Sequence, residues 1–382
     1  MRRDLYDSEH DLFRETVAAF LRSEVVPHRD RWEAEGKVDK AMFRSAGRQG
    51  LLGMAVPEEF GGGGVEDFRF NVVISEEVMA ADVFGCGMCI TLHNDVALPY
   101  FLHLTTEEQK ERWLPGLASG DLMSAIAMTE PGAGSDLAGI STTAVRDGDH
   151  YVVNGTKTFI TNGINADLII TAVKTDPTQR HAGMSLLVIE DGMDGFSRGR
   201  NLEKIGLHAQ DTAELFFSDV HVPVENLLGS EGRGFYHLVH NLPQERLSLA
   251  VGSLAHAQAA FSWTLDYVTE RKAFGTAIGH NQAIRHRMAE MRTELDVTQA
   301  YLDRQVLALN DGELSADDAA KAKWWATELE KRVIDSCLQF FGGWGYMEEY
   351  PIARAYRDAR VQTIYGGTTE IMKEIIGKGL GL

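Results

Sequence analysis

The hydrophobic period switches twice along this 382-residue chain, from helical to strand-like and back, and no uniform architecture accommodates both switches. Up to about Ser119 apolar residues recur at helical spacing, as in Leu12, Val17, Phe20 and Leu21 and again in Val72, Val73, Val78 and Met79. Between Leu122 and Gly229 the chain becomes short runs of Val, Ile, Thr and Phe separated by turn residues, with strands expected at 168–173, 184–189 and 214–217. Tyr151-Val-Val-Asn-Gly-Thr156 predicts a hairpin turning at Asn154-Gly155, because that pair readily adopts positive φ. From Gly234 helical stripes return. One carries Ile284, Met288, Met291, Leu295, Leu302, Val306 and Leu309, and another carries Ala319, Ala322, Ala326, Leu329, Val333 and Phe340. These positions read as bundle core.

The expectation is an α+β multidomain chain. Residues 1–121 form an N-terminal helical domain, 122–229 a central antiparallel β-barrel-like domain, and 230–382 a C-terminal four-helix bundle. The length suits two or three units at about 150 residues each. Pro57 and the Gly61–Gly64 run mark a loop, and Thr105-Thr-Glu-Glu108 offers an N-cap for a helix ending before Pro115.

A formal charge of −19 disfavours wrapping a nucleic-acid backbone, which draws on clustered Lys and Arg. It leaves room for a small anion near Arg271, Lys272, Arg285 and Arg287. No apolar run reaches membrane-spanning length. Arg2 and Arg3 stand among Asp4, Asp7, Glu9 and Asp11 with no apolar stretch behind them, unlike an export or transit signal, so the cytoplasm is the expected compartment. Cys86-Gly-Met-Cys89 has no second Cys or His pair beside it and reads as helix packing. His237 and His240 lack an acidic or cysteine partner, so no metal site is expected.

The most informative stretch is Ala127-Met-Thr-Glu-Pro-Gly-Ala-Gly-Ser-Asp136, which joins a strand to a loop with little side-chain bulk. Gly132 and Gly134 have no Cβ, so backbone amides there are accessible to a phosphate or a flat ring. It lacks the third glycine of a dinucleotide fingerprint, and Gly134-Ser135 lacks the Gly-x-Ser-x-Gly elbow of a serine hydrolase. Gly61–Gly64 lacks the Gly-Lys-Ser/Thr ending of a phosphate loop and reads as a turn.

This stretch resembles the flavin-binding signature of the acyl-CoA dehydrogenase family, and six further motifs extend the resemblance over nearly the whole chain. They are Lys157-Thr-Phe-Ile-Thr-Asn-Gly163, Gly206-Leu-His-Ala-Gln-Asp-Thr-Ala-Glu214, Leu242-Pro-Gln-Glu-Arg-Leu247, Glu270-Arg-Lys-Ala-Phe-Gly275, Gln339-Phe-Phe-Gly-Gly-Trp-Gly-Tyr346 and Tyr365-Gly-Gly-Thr-Thr-Glu370. The resemblance implies the acyl-CoA dehydrogenase fold and FAD-dependent α,β-dehydrogenation of an acyl-CoA thioester to the trans-2-enoyl-CoA. That reaction needs a base for the α proton, a flavin to accept the β hydride, and donors to the thioester carbonyl.

Many members carry the base where this chain has Gly366, which takes no proton. A subgroup that includes long-chain and isovaleryl-CoA dehydrogenases carries it on the helix after the β-domain, where this chain has Glu245. The resemblance therefore assigns Glu245 as catalytic base. Flavin contacts fall on Met128, Thr129, Ser135, Phe159 and Thr161, with Thr368 and Glu370 closing the same cofactor. Arg271, Phe274, Gln282, Gln339, Gly342 and Gly343 match positions that receive the adenosine and pyrophosphate of a neighbouring subunit's FAD. Ser135, Tyr236 and Arg246 are assigned to the CoA arm, and the Gly366-Gly367 backbone to the thioester. The implied partners are acyl-CoA, an electron-transfer flavoprotein as acceptor, and further copies of the chain, as a tetramer built as a dimer of dimers. A flavin oxidase or monooxygenase on the same fold, and a non-catalytic flavoprotein, are the alternatives; the strongly basic C-terminal region that would mark a nucleic-acid-binding relative is absent.

Overall fold

The computed structural model describes residues 3–382; Arg2, placed above among the N-terminal charges, lies outside the described residues. Helices come first: α1 (Ser8–Phe20), α2 (Arg29–Glu35), α3 (Lys40–Arg48), α4 (Phe68–Ala80), α5 (Phe84–Thr91), α6 (Leu98–His103) and α7 (Glu107–Ser119). Val17, Phe20 and Leu21 are buried as the stripe requires, whereas Leu12 is exposed. Helix α7 starts with a capping box, the Thr106 side chain accepting from the Gln109 N–H while the Gln109 side chain accepts from Thr106. It does not stop before Pro115 as expected, but runs through it to Ser119. Glu111, whose carbonyl Pro115 cannot bond, lies on the exposed side, while Trp113, Leu114, Leu117 and Ala118 hold the opposite face in the core.

The strands are β1 (Ser124–Ala127), β2 (Thr143–Asp147), β3 (His150–Thr161), β4 (Leu168–Lys174), β5 (Met184–Glu190), β6 (Phe196–Asn201), β7 (Thr212–Pro223) and β8 (Leu227–Leu228). They make one sheet in the order β6-β7-β3-β2-β4-β5-β8, with β1 beside β4. The sheet is mixed rather than wholly antiparallel, because β1 runs parallel to β4 and β2 meets β4 in parallel at Thr143 and Lys174. Its path is open, with β6 and β8 at the ends. Strands β4 and β5 are buried on both faces, which explains their unbroken apolar runs.

Asn154-Gly155 does not turn the chain. Strand β3 runs straight through it, and the reversal lies earlier, between Asp147 and His150. The register against β7 shifts between Val153 and Gly155, so the pair forms a bulge. Gly155 has φ +150°, and a Cβ there would lie 2.5 Å from Thr142 Oγ1 and 2.7 Å from Thr142 Cα. The Asn154 side chain donates to Asp219 (2.9 Å) and accepts from the Asp219 N–H (2.9 Å), which ties the bulge to a residue that is itself left-handed.

Helices resume with α8 (Gly234–Glu270), the short hairpin β9 (Lys272–Ala273) and β10 (Thr276–Ala277), then α9 (Gln282–Asn310), α10 (Ala316–Phe341), α11 (Pro351–Asp358) and α12 (Thr369–Gly379). Met288, Met291, Leu295, Leu302 and Val306 of α9 join Ala322, Ala326, Leu329 and Val333 of α10 in one core with α8, while Ile284, Leu309 and Phe340 pack at its margin. Helix α4 lays Phe68 and Val72 against the same core, which couples the N-terminal helices to the bundle. Among the described residues no helix is long and apolar enough to cross a membrane.

Candidate active site

Glu245 lies on α8, two residues after Pro243, and is only 4% exposed. Its Oε1 accepts from the Tyr100 hydroxyl (2.9 Å) and from the amide of Asn241 one helical turn earlier (3.0 Å). Burial pushes the Glu245 carboxyl above the ordinary range, against the downward pull of those two donors and of neighbouring Arg246. A base for a carbon acid needs that upward direction. Tyr100 is pushed far up by burial and the Glu245 charge, so it stays a donor.

The segment that supports Glu245 is a π-helical turn, Leu92–Ala97, placed just before α6. The Asn241 amide also donates to the Val96 carbonyl (3.3 Å), and Gln244 donates to the Asp95 carbonyl (3.0 Å). The Asp95 side chain, fully buried and pushed up to about 6 by burial, accepts from Asn71 (2.6 Å) and from Ser248.

Gly366 and Gly367, with φ +64° and +102°, form a left-handed turn against α8. Arg246 Nε donates to the Gly366 carbonyl (3.3 Å), and Lys323 Nζ on α10 donates to the Gly367 carbonyl (2.6 Å). Arg246, assigned from sequence to the CoA arm, is therefore buried against this turn. Lys323 is wholly buried, and burial followed by the Arg246 charge lowers it to about 8. A Cβ at Gly366 would lie 2.4 Å from Leu249 Cδ1, so Leu249 fills the space a side chain there would take. A narrow slot of about 30 Å³ opens beside this turn, bordered by Met79 of α4, Phe84 and Met88 of α5, Leu249 and Gly252 of α8, and Tyr365, with Ser75, Thr91, Ser248 and Gln362 also on its wall.

The loop after β1 is held from behind by a buried ion pair. Lys157 Nζ donates to Glu130 Oε1 (2.8 Å) and to the Met128 carbonyl (3.0 Å), and the Thr158 N–H donates to the Thr129 carbonyl (2.9 Å). Glu130 also accepts from Ser141 N (2.6 Å), Ser141 Oγ (2.7 Å) and Thr142 N (3.0 Å). Gly132 and Gly134 have no left-handed φ, and a Cβ at either would meet no atom of this chain within 4 Å. Ser135 is exposed on that open surface. A second bulge between Lys157 and Ile160 turns Phe159 outward, with φ +59° and its ring 68% exposed, while Thr161 ends the strand half-buried. Met128 packs on the cluster that contains Tyr100, which links this loop to the carboxyl site.

A further cleft brings Arg271, Gly342 and Gly343 together with Tyr267, Phe341 and Trp344. The structure does not gather Phe274 or Gln282 into it: Phe274 stands fully exposed at the β9–β10 tip with φ +52°, and Gln282 opens α9 in solvent. Gln339 is exposed near the end of α10. Thr368 caps α12, its hydroxyl accepting from the Ile371 N–H (3.4 Å), and Glu370 is exposed in the first turn. Tyr236 is apart, half-exposed under Arg233 about 13 Å along α8 from Glu245. His237 is half-buried, and among the described residues no group of His, Cys, Asp and Glu is arranged to hold a metal. Cys86 and Cys89 are buried on α5 with thiols pushed up by burial.

The descriptions "Acyl-CoA dehydrogenase, N-terminal domain", "middle domain" and "C-terminal domain" match residues 7–121, 125–220 and 232–381. The chain is 47% identical over 378 residues to the mitochondrial long-chain specific acyl-CoA dehydrogenase of Mus musculus, covering 98% of this chain and 87% of that one. The chain belongs to the acyl-CoA dehydrogenase family. The crystal structure of an acyl-CoA dehydrogenase from Geobacillus kaustophilus superimposes with a TM-score of 0.97 at 49% identity over the whole of both chains. A chain in the structure of the electron transferring flavoprotein of Acidaminococcus fermentans gives 0.94 at 33% identity, covering 99% of each. The family reaction is flavin-dependent dehydrogenation of an acyl-CoA, which makes this acyl-CoA dehydrogenase an oxidoreductase.

Sequence reasoning missed Tyr100, Asn241, Lys323 and the Glu130–Lys157 pair as parts of the site. Asn241 was detectable as the residue one turn before Glu245, and Lys323 as a cation on the buried stripe between Ala319 and Ala326. Tyr100 gives no local signal, since it meets Glu245 across 145 positions of sequence.

Proposed function

We propose that this acyl-CoA dehydrogenase uses Glu245 to take the α proton of its thioester substrate and binds FAD as its flavin. The observation that carries the reading is a nearly fully buried carboxyl with both its donors on one oxygen, next to a glycine turn whose carbonyls are held by Arg246 and Lys323. Bound FAD supplies the hydride acceptor for the β carbon. Glu245 supplies the base, and the Gly366-Gly367 N–H groups hold the thioester oxygen as negative charge develops there. The acyl chain would lie against Leu249 and Gly252, where a Cβ at Gly252 would stand 3.4 Å from Met79 Cε.

Met128, Thr129, Ser135, Phe159 and Thr161 would hold the flavin, and the absence of any protein atom within 4 Å of a Cβ at Gly132 or Gly134 lets a flat ring or a pyrophosphate approach the backbone there. Thr368 and Glu370 close the same cofactor. Ser135 and Tyr236 attend the CoA arm. Arg271, Phe274, Gln282, Gln339, Gly342 and Gly343 serve the FAD of a second copy in a tetramer, a reading supported by the Phe274 ring, which no part of its own chain covers. The electron acceptor is an electron-transfer flavoprotein, in keeping with the resemblance to the Acidaminococcus fermentans structure. The cytoplasm is the proposed compartment, in keeping with three buried, unpaired thiols.

The test is Glu245→Gln, mixed anaerobically with acyl-CoA while flavin absorbance is followed. The variant is expected to keep its flavin and bind the thioester but bleach about a thousandfold more slowly, mid-range for a general base. Bleaching at the parent rate would remove Glu245 from the role.

A further inference from the structure

We infer that Tyr100 and Asn241 act as positioning residues that reserve one oxygen of Glu245, Oε2, for the proton and hold the carboxylate in its ionised, reactive form. The inference rests on the reading of Glu245 as base. Both hydrogen bonds to the carboxyl converge on Oε1, from Tyr100 at 2.9 Å and Asn241 at 3.0 Å, and no donor among the described residues meets Oε2. A carboxylate has about four lone-pair sites, so placing both donors on one oxygen selects the other.

The two donors are themselves anchored. Asn241 is fixed by its second bond to the Val96 carbonyl (3.3 Å), and Tyr100 is buried in the cluster of Leu98, Phe101, Trp113 and Leu238. Val96 and Tyr100 both belong to the continuous segment 92–103, where the π-helical turn passes into α6. A π-turn redirects carbonyls out of the regular ladder, and here Asp95 and Val96 offer theirs to Gln244 and Asn241, both in the helical turn that leads into the base. The carboxyl is therefore oriented by the N-terminal domain as much as by its own helix.

The proton balance follows. Substrate C2 gives its proton to Oε2, the C–H electron pair stays on the substrate, and Oε1 keeps both donors throughout. Each donor favours the ionised carboxyl, so each works against the burial that raises its proton affinity. Removing one donor should make the base more readily protonated at neutral pH. Besides Tyr100, the charged group that acts on it is Arg246 on α8; Asp95 on the π-turn, Lys323 on α10 and Tyr365 before the glycine turn are engaged with Ser248, the Gly367 carbonyl and Gln362 instead. Tyr100 has no bond to any of these four.

The test is Tyr100→Phe, which deletes the hydroxyl and keeps the ring packing, measured as flavin-loaded enzyme. Anaerobic flavin reduction is followed from about pH 5 to about pH 10 in steps of about half a unit, with whichever of butyryl-, octanoyl- and palmitoyl-CoA reduces the parent enzyme fastest. Loss of a hydrogen bond to a charged group is expected to move the acidic limb upward by about one pH unit, so the rate near neutrality falls up to about tenfold and climbs again on the alkaline side. Asn241→Ala should move the same limb the same way, and the double variant should move it further. A purely structural role would lower the rate by one factor at every pH. An unmoved limb in both single variants, with Glu245→Gln inactive, would overturn this inference and leave the base reading standing. Parent-like reduction by Glu245→Gln would overturn both.

Discussion

Replacing Lys157 by Met isolates the buried pair behind the proposed flavin loop. The Lys157 side chain is wholly buried, and the Glu130 side chain is 3% exposed. The substitution leaves a buried carboxylate without its counter-ion and the Met128 carbonyl without its donor. Breaking such a pair from one side costs about 3–5 kcal/mol. Glu130 keeps its bonds from Ser141 N, Ser141 Oγ and Thr142 N, which places the expectation near the lower end, about 3 kcal/mol. Adding Glu130→Gln removes the stranded charge, so the double variant should recover about 1–2 kcal/mol relative to additivity. The assay is urea unfolding of flavin-loaded protein, read by far-UV dichroism and by flavin release. Flavin should leave at lower urea than in the parent, because Lys157 holds the Met128 carbonyl and the next residue pairs with Thr129. The pair also sets an acid response. Burial raises the Glu130 carboxyl, but the Lys157 charge and the hydrogen bonds bring it down to about 2, below its value in the unfolded chain. Its contribution is therefore present above about pH 4.5 and lost as pH falls toward 2. A loss under about 1 kcal/mol for Lys157→Met, or strict additivity in the double variant, would refute the reasoning.

Two other substitutions probe the scaffold. Burial lowers His93 to about 4, in a site where Nε2 donates to the Leu117 carbonyl (3.1 Å) and Nδ1 accepts from Ser124 Oγ (2.7 Å). Its folded value lies below its unfolded one, so stability should fall as pH drops from about 6.5 to 4, by about 3 kcal/mol in all; urea midpoints of His93→Gln should lose most of that slope, and an unchanged slope would count against it. Gly155→Ala places a Cβ against the Thr142 backbone at φ +150° and should destabilise by about 2 kcal/mol or more in the same assay; a neutral result would deny the bulge its steric basis.

Sequence alone carried the architecture a long way, because hydrophobic period is a local property. The stripes of Met288, Met291, Leu295 and Val306, and of Ala322, Ala326 and Leu329, needed only helical spacing to be read as core, and all are buried. The motifs also marked Glu245 as the acid opposite a glycine that takes no proton. Local reasoning failed where a neighbour from elsewhere in the chain decided the outcome. Asn154-Gly155 has the chemistry of a tight turn, but pairing with β7 and the Asp219 clamp make it a bulge. Pro115 signals a helix end, but the buried face of α7 carries the helix past it.

Residue type and spacing determined that this chain has helices around a sheet, and the resemblance of its motifs singled out Glu245 as the proposed base. Only the tertiary structure decided which oxygen of that carboxyl is engaged, since Tyr100 reaches it from α6 across 145 positions, and that Lys323 and Arg246 close on the two glycine carbonyls. The reason is physical: a helical or extended period is written in neighbouring residues, whereas the hydrogen bonds that orient a buried charge depend on which distant segments pack together and exclude water.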